Sequence, residues 1–291
     1  MFIEKDMRTI GIIAEYNPFH FGHLYHLLKA KKVTGAKASV IVMGGHFLQR
    51  GEPAIFHKWL RAQMAIKAGV DLVIELPFVF ASQDAKGFSQ AGIKLLDAIH
   101  IADYVCFGCE HNQPDIFNAL ADFLNNPPPL FREIQKKELK YGNSYPKIRA
   151  NAILEYHKTI GIASLKTFNL QALKNILNQP NNILALEYVK CLRSINSLIK
   201  PVFIKRKGSS YSQENMSGKY SSATSIRKNI LSLYRKSSHH SLQNISQYLP
   251  HFSFQLMIKH LEKGYNPIQL SHYEQSIMAN LRKISLENLQ K

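Results

Sequence analysis

Gly11-Ile12-Ile13-Ala14-Glu15-Tyr16-Asn17-Pro18-Phe19-His20-Phe21-Gly22-His23-Leu24 is the stretch whose reading decides the fold. An apolar, β-branched run from Ile10 to Glu15 breaks at Asn17-Pro18, and apolar residues three and four apart then continue from Leu24 to Lys32. That is a strand, a turn and a helix, the opening unit of a parallel sheet whose strands are joined by helices. In such a sheet ligands bind outside the carboxyl ends of the strands, and this turn lies at one of those ends. The helix start offers unpaired N–H groups and a positive dipole end, both suited to phosphate oxygens. His20 and His23 are spaced to face that site from the first helical turn, and Gly22 would let a phosphate approach the backbone closely. Two imidazoles there can donate hydrogen bonds to the charge that develops as an α-phosphate is attacked and pyrophosphate leaves. A histidine pair at a helix start can equally serve as cap or packing; its place directly after a strand and Asn-Pro-Phe favours the chemical role.

Outward from this unit the same alternation continues. Ser39 to Met43, Leu72 to Leu76 and Tyr104 to Phe107 read as further strands, with Trp59 to Ala68 and Phe88 to Ile99 as helices that cover the sheet. The fold class expected is therefore α/β, a Rossmann-like parallel sheet. After Gly108 the chain turns helical, with helices at Asp115 to Leu124, Phe131 to Tyr141, Lys147 to His157 and Asn182 to Ser194, and a proline run from Pro127 to Pro129 as a stop. Val202 to Lys205 reads as one more strand, and Ser221 to Ser232 as a helix. This divides the chain into a Rossmann-like unit at about 1–230, with a helical insertion at about 112–178, and a basic helical C-terminal appendage at about 231–291. In that last part Arg235, Lys236, His239, His240, Lys259, His260 and Lys263 alternate with Tyr248, Phe252 and Phe254. The spacing suits a surface that presents basic groups and buries its aromatics, or a plain packing helix.

Two further turns lie where a ligand could meet them. Met43-Gly44-Gly45-His46-Phe47-Leu48-Gln49-Arg50-Gly51 is a glycine-rich loop after the second strand, on the same edge as the first site. Ser221-Ser222-Ala223-Thr224-Ser225-Ile226-Arg227-Lys228 places hydroxyls ahead of a helix, where they cap free N–H groups, and adds two cations that could hold a triphosphate. Cys106 and Cys109 could form half of a zinc site or a redox pair, but with no second such pair ordinary packing is the expectation. No metal site is expected. The thirty-seven Lys plus Arg against twenty Asp plus Glu give a formal charge of +17, a field that attracts phosphate-rich partners such as RNA, or else a merely solvated surface. An acidic opening with Glu4 and Asp6 lacks the features of a secretory signal, and no apolar run approaches the roughly 18 residues of a membrane span. With only three cysteines, a cytoplasmic protein with no membrane partner is expected.

At these residues the sequence resembles the bacterial tRNA(Met) cytidine acetate ligases, members of the nucleotidylyltransferase superfamily that carry a His-x-Gly-His motif. The segment Glu15 to His26 follows the family's opening motif, with Phe21 where Asn is usual. The Gly44 to Pro53 loop, Asp71 to Pro77, Phe107-Gly108 with Glu110, Ser144-Tyr145-Pro146, Pro180 to Leu184, Lys205-Arg206 and the Ser222 to Lys228 turn are similar as well. Ala185 stands where Gly is usual, and the C-terminus is expected to be shorter than in the family. The resemblance implies that acetate and ATP give acetyl-adenylate and pyrophosphate, and that the acetyl group passes to N4 of the wobble cytidine of elongator tRNA(Met). It implies ATP contacts at Ile13, Ala14, Glu15, Tyr16, Asn17, Pro18, Phe19, His20, Phe21, Gly22, His23, Leu24, Tyr25, His26, Gly108, Asn181 and Arg206. His20 and His23 would act on the transferring phosphate and adenine would lie near Gly108 and Asn181. Ser222, Thr224, Arg227 and Lys228 join Arg206 as candidates for the triphosphate, and Mg²⁺ is compatible with it. No protein partner is evident. The alternatives are a nucleotidylyltransferase with a small-molecule substrate and an RNA-binding relative without turnover.

Overall fold

The computed structural model describes residues 7–207, 220–235, 242–285 and 288. Its centre is one parallel sheet of five strands in the order β3-β2-β1-β4-β5, formed by β1 (Thr9–Ala14), β2 (Ala38–Gly44), β3 (Leu72–Leu76), β4 (Tyr104–Cys109) and β5 (Lys200–Lys205). Side chains alternate across it as strand geometry requires. Val40, Val42, Val105 and Phe107 face one core with α4 (Ala85–Ala98), α5 (Pro114–Asn125) and α9 (Pro180–Ser194), whereas Ile10, Ile12, Ile41 and Met43 face a second. That second core is closed by α1 (Phe21–Thr34), α2 (Lys58–Lys67), α10 (Ala223–Arg235) and α11 (His251–Glu262). Pro201 enters β5 at the sheet's edge, where its missing N–H deprives no neighbouring strand.

The chain runs outward from β1 to β3 and then crosses to β4 on the other side of β1, so the topological switch point lies between β1 and β4. The register makes this an opening. β1 pairs with β2 as far as Ala14 and Met43, but with β4 only at Ile10–Tyr104 and Gly11–Val105. β4 and β5 stay paired to Cys109 and Lys205. The sheet thus splits towards its carboxyl end, directly below the Glu15 to His23 turn.

The helices α6 (Pro129–Leu139), α7 (Tyr145–Thr159) and α8 (Leu170–Leu177) follow α5, and Phe131, Ile134, Ile153 and Leu173 join the first core. The short α3 (Phe78–Ala81) and α8 had no expected counterpart: α3 is too short for a helical period, and α8 follows a 3₁₀ turn at Ala163–Leu165. Near the C-terminus α11 packs on α2, and α12 (Glu274–Lys283) follows a 3₁₀ turn at Leu270–Tyr273. Lys236, His239 and His240 lie outside the described residues. His260, expected as a basic surface group, is instead buried against Phe56 and His57, because α11 turns it into the groove beside α2.

Cys106 and Cys109 cannot share a metal or a disulfide. Three residues apart on a strand, they point to opposite faces, Cys109 into the first core and Cys106 into the second. Burial pushes both thiols up to about 12, so they are inert packing groups. Among the described residues no helix is long and apolar enough to cross a membrane, and no group of three His, Cys, Asp or Glu side chains is placed to hold a metal ion.

Candidate active site at the split in the sheet

His20 is the N-cap of α1, with an extended backbone (φ −127°, ψ 177°), and Gly35 ends that helix in the left-handed conformation (φ 68°). The cap is made by two histidines. Gly22 N–H donates to His20 Nδ1 at 3.0 Å, and His20 N–H donates to His23 Nδ1 at 3.3 Å, a capping box in which imidazoles replace the usual hydroxyl and carboxylate. The two rings stack with centroids 3.8 Å apart. Gly22 is required here for a reason the sequence did not disclose. A Cβ at this position would stand 2.7 Å from His20 Cε1, so glycine makes room for the ring. The first turn of α1 carries no acidic residue, which leaves its positive end uncompensated by its own side chains.

The hydrogen bonds fix the chemistry of the pair. A ring whose Nδ1 accepts an N–H carries its proton on Nε2, so each imidazole presents an Nε2–H donor. Burial, with the Arg206 and Arg227 charges beside it, pushes His20 down to about 3. Burial, together with His20, Arg206 and His26, holds His23 well below the ordinary histidine range, and burial and Arg206 push His26 down to about 4. The three rings are therefore neutral at physiological pH. Tyr16 and Phe19 pack edge-on at 4.8 Å, Tyr16 packs on His23 at 4.9 Å, and Phe252 of α11 covers Phe19 at 6.0 Å. Two buried polar atoms here, Tyr16 Oη and His26 Nε2, have no hydrogen-bond partner among the described residues.

The other expected residues converge from separate elements. Arg227 of α10 donates to the backbone carbonyl of Asn17 at 3.0 Å and to Thr224 Oγ1 at 3.3 Å, joining the late turn to the first one. Ser222 caps α10 by accepting from Ser225 N–H at 3.1 Å, and Lys228 is exposed on the same helix. Arg206, just past β5, donates to Asn181 Oδ1 at 2.8 Å, while Asn181 Nδ2 donates to Glu110 Oε1 at 2.5 Å. Gly108 lies beneath this chain, where a Cβ would meet Arg206 Cγ at 3.2 Å. Asn17 is committed elsewhere: its Oδ1 accepts from Ile55 N–H at 2.8 Å. Phe19 is fully buried, and Ile13 and Ala14 complete β1, so these residues shape the turn through packing and backbone. Glu15 accepts from Gln49 N–H at 2.9 Å; burial raises its pKa, against Gln49 and the Arg227, Arg61 and Arg50 charges. On α1, Leu24 and Tyr25 pack against the second core, and Lys207 Nζ lies 4.8 Å from the Tyr25 ring centroid. Pro18 is buried in the turn, and Phe21 is partly exposed at the first position of α1.

Arg61 was missed by the sequence reading. Its side chain is fully buried in α2 and donates to the carbonyls of Phe56, Glu15, Gly44 and Gly45. One guanidinium thus ties the end of β1 to the end of β2. Burial pushes its pKa down to about 10, with the Glu15 and Glu75 charges opposing that shift. In the sequence it is one arginine in an amphipathic helix, and nothing in its spacing marks it.

A family model described as HIGH Nucleotidyl Transferase matches residues 7–291. The chain belongs to that family. Among its relatives, a protein named tRNA(Met) cytidine acetate ligase from Halothermothrix orenii is 39% identical over 97% of this chain and 65% of its own. One of the same name from Thermoanaerobacter sp. (strain X514) is 41% identical over 95% of this chain and 64% of its own. A crystal structure of Thermotoga maritima TmcAL in its apo form superposes with a TM-score of 0.81 at 36% identity, covering 92% of this chain and 60% of that one. TmcAL bound with alpha-thio ATP gives 0.79 at 36% identity, with 92% and 59% covered. The chain therefore spans about 60 to 65% of the length of those relatives.

Proposed function

We propose that this protein condenses acetate with ATP and passes the acetyl group to N4 of the wobble cytidine of elongator tRNA(Met) in the cytoplasm. The observation that carries the reading is the pair of neutral, stacked imidazoles, each with an Nε2–H donor, held between Arg206 and Arg227 at the split between β1 and β4. A triphosphate laid on the N-terminus of α1 meets the two imidazole Nε2–H donors, the dipole end and two guanidinium groups at once. In this reading an acetate oxygen attacks the α-phosphorus, the bond to the bridging oxygen breaks, and pyrophosphate leaves. His20 and His23 donate to the oxygens on which charge grows, while Arg206, Arg227 and Lys228 hold the departing phosphates. Adenine rests beside Gly108 and Asn181, with Ser222 and Thr224 shaping the late turn. The cytidine amine then attacks the acetyl carbon, a C–N bond forms, AMP leaves, and the amine gives up a proton.

Support comes also from the names borne by the relatives and from the ATP analogue in the TmcAL structure. The excess of cations, +17 in all, suits the RNA partner. Mg²⁺ fits the proposal through the triphosphate's own oxygens and its waters. The division at about residue 230, with the ATP machinery before it, belongs to the same proposal.

ATP–pyrophosphate exchange tests it: exchange should depend on acetate and need no tRNA. Exchange driven by a different small carboxylate would point to a small-molecule enzyme instead, and RNA binding without any exchange would point to a relative that does not turn over.

A further inference from the structure

A second cavity of about 500 Å³ lies on the opposite flank of the His20 turn, against the loop that follows β2. His46 of that loop, His57 at the N-cap of α2, His260 of α11, and Tyr265, Asn266 and His272 beyond it line the space. It is separate from the crevice between β1 and β4 but shares a wall with it. Ala54 lines the cavity, and the next residue, Ile55, donates its N–H to Asn17 of the turn at 2.8 Å. Arg61 draws the same surfaces together, because the Gly45 carbonyl beside His46 and the Glu15 carbonyl beside Tyr16 lie on one guanidinium.

The lining has the chemistry of a flat, neutral, hydrogen-bonding guest. His260 and Tyr265 stack with centroids 4.7 Å apart and planes 9° apart, and His57 stands edge-on to His260 at 4.5 Å. The donors are fixed. His57 Nδ1 accepts from Leu60 N–H at 3.0 Å and His272 Nδ1 from Gln269 N–H at 3.4 Å, so each ring offers an Nε2–H. Burial and the nearby Lys58 lower the pKa of His46, with the Glu75 charge opposing them. Two fixed donors suit the adjacent O2 and N3 acceptors of cytosine and leave its N4 amine unengaged. Lys263 lies close enough to act electrostatically on His260 and supplies positive charge for a phosphate backbone, whereas Lys58 is paired with Glu75 at 2.5 Å. Aromatic stacking with edge hydrogen bonds is how single-stranded RNA bases are held.

We propose that this cavity seats an unstacked cytosine of an RNA loop beside the crevice in which the acyl-adenylate forms. The proposal deepens the acetate-ligase reading and rests on it for the reaction, though not for the binding. The test uses a stem-loop RNA with 5-iodocytidine at one loop position, irradiated with the full chain in saturating ATP, and the crosslinked peptides mapped by mass spectrometry. Crosslinks should fall on His57, His260 or Tyr265. Tyr265→Ala should lower both the crosslink yield and acetyl transfer by about tenfold or more, and Tyr265→Phe, which keeps the ring, should restore both. Crosslinks that map elsewhere, or that ATP abolishes, would overturn the cavity assignment and leave acetate-dependent exchange untouched. Absence of that exchange in the unaltered protein would instead remove the acetate-ligase reading, while the crosslink map would still decide where the base sits.

Discussion

Replacing His20 by Asn separates what the ring does for the fold from what it does for chemistry. Asn is among the best N-cap residues, so its side-chain oxygen can take over the Gly22 N–H that His20 Nδ1 now accepts. It cannot titrate and brings no imidazole N–H. The parent protein carries an acid liability here, because His20 at about 3 and His26 at about 4 both lie below the ordinary 6.5 of an unfolded histidine. As pH falls below 6.5 the unfolded chain takes up protons that the folded chain refuses, so stability present above that pH drains away until the folded values are reached. At about 1.36 kcal/mol per unit, each ring withdraws about 2 kcal/mol between pH 7 and pH 5, and the two together about 4 kcal/mol. His23 acts in the same direction. Against a typical total of about 5 to 15 kcal/mol this is a large share. Urea midpoints at the two pH values should show His20→Asn close to the parent at pH 7 and about 2 kcal/mol less sensitive to acid. At pH 7 the same variant should lose roughly 10² to 10³ in exchange rate if the Nε2–H stabilises transition-state charge. An unchanged acid loss in the variant would refute the buried neutral ring, and an unchanged exchange rate would refute its role.

Other consequences can be checked separately. Arg61→Met should destabilise the fold by about 3 to 5 kcal/mol by leaving buried carbonyls unpaired, and Arg61→Lys should recover only part of this because one ammonium cannot reach all four; denaturant midpoints measure both. Affinity for tRNA should fall steeply as salt rises while ATP–pyrophosphate exchange changes little, and a flat salt dependence would make the charge a merely solvated surface. Cys106, Cys109 and Cys191 are all free and buried, so a thiol reagent should modify none of them until the protein is unfolded, as mass spectrometry would show.

How far the sequence could be read follows from which signals are local. Strands β1 to β4 were legible because their apolar runs are bounded by turns, and α1, α2 and α4 because their apolar residues keep a helical period. The His20-Phe21-Gly22-His23 turn was legible because a helix start after a parallel strand has one physical use above others. What escaped depended on distance in the chain. Nothing near Arg61 announces that its guanidinium reaches Glu15, Gly44 and Gly45, and nothing near His260 announces that α11 folds it onto His57. The closeness of Gly22 to the His20 ring escaped for the same kind of reason, since the ring's rotamer is not specified by the sequence. The bond from Arg227 to Asn17 spans 210 residues, and nothing local to either turn specifies it, although both turns were read as places for phosphates.

The central claim is tested most directly by incubating elongator tRNA(Met) with the protein, ATP and isotope-labelled acetate, and then digesting the RNA to nucleosides for mass spectrometry. The account predicts labelled N4-acetylcytidine at the wobble position, formed with AMP and pyrophosphate and lost in His20→Asn. Unlabelled cytidine at that position, in the presence of a folded protein that binds ATP, would contradict it.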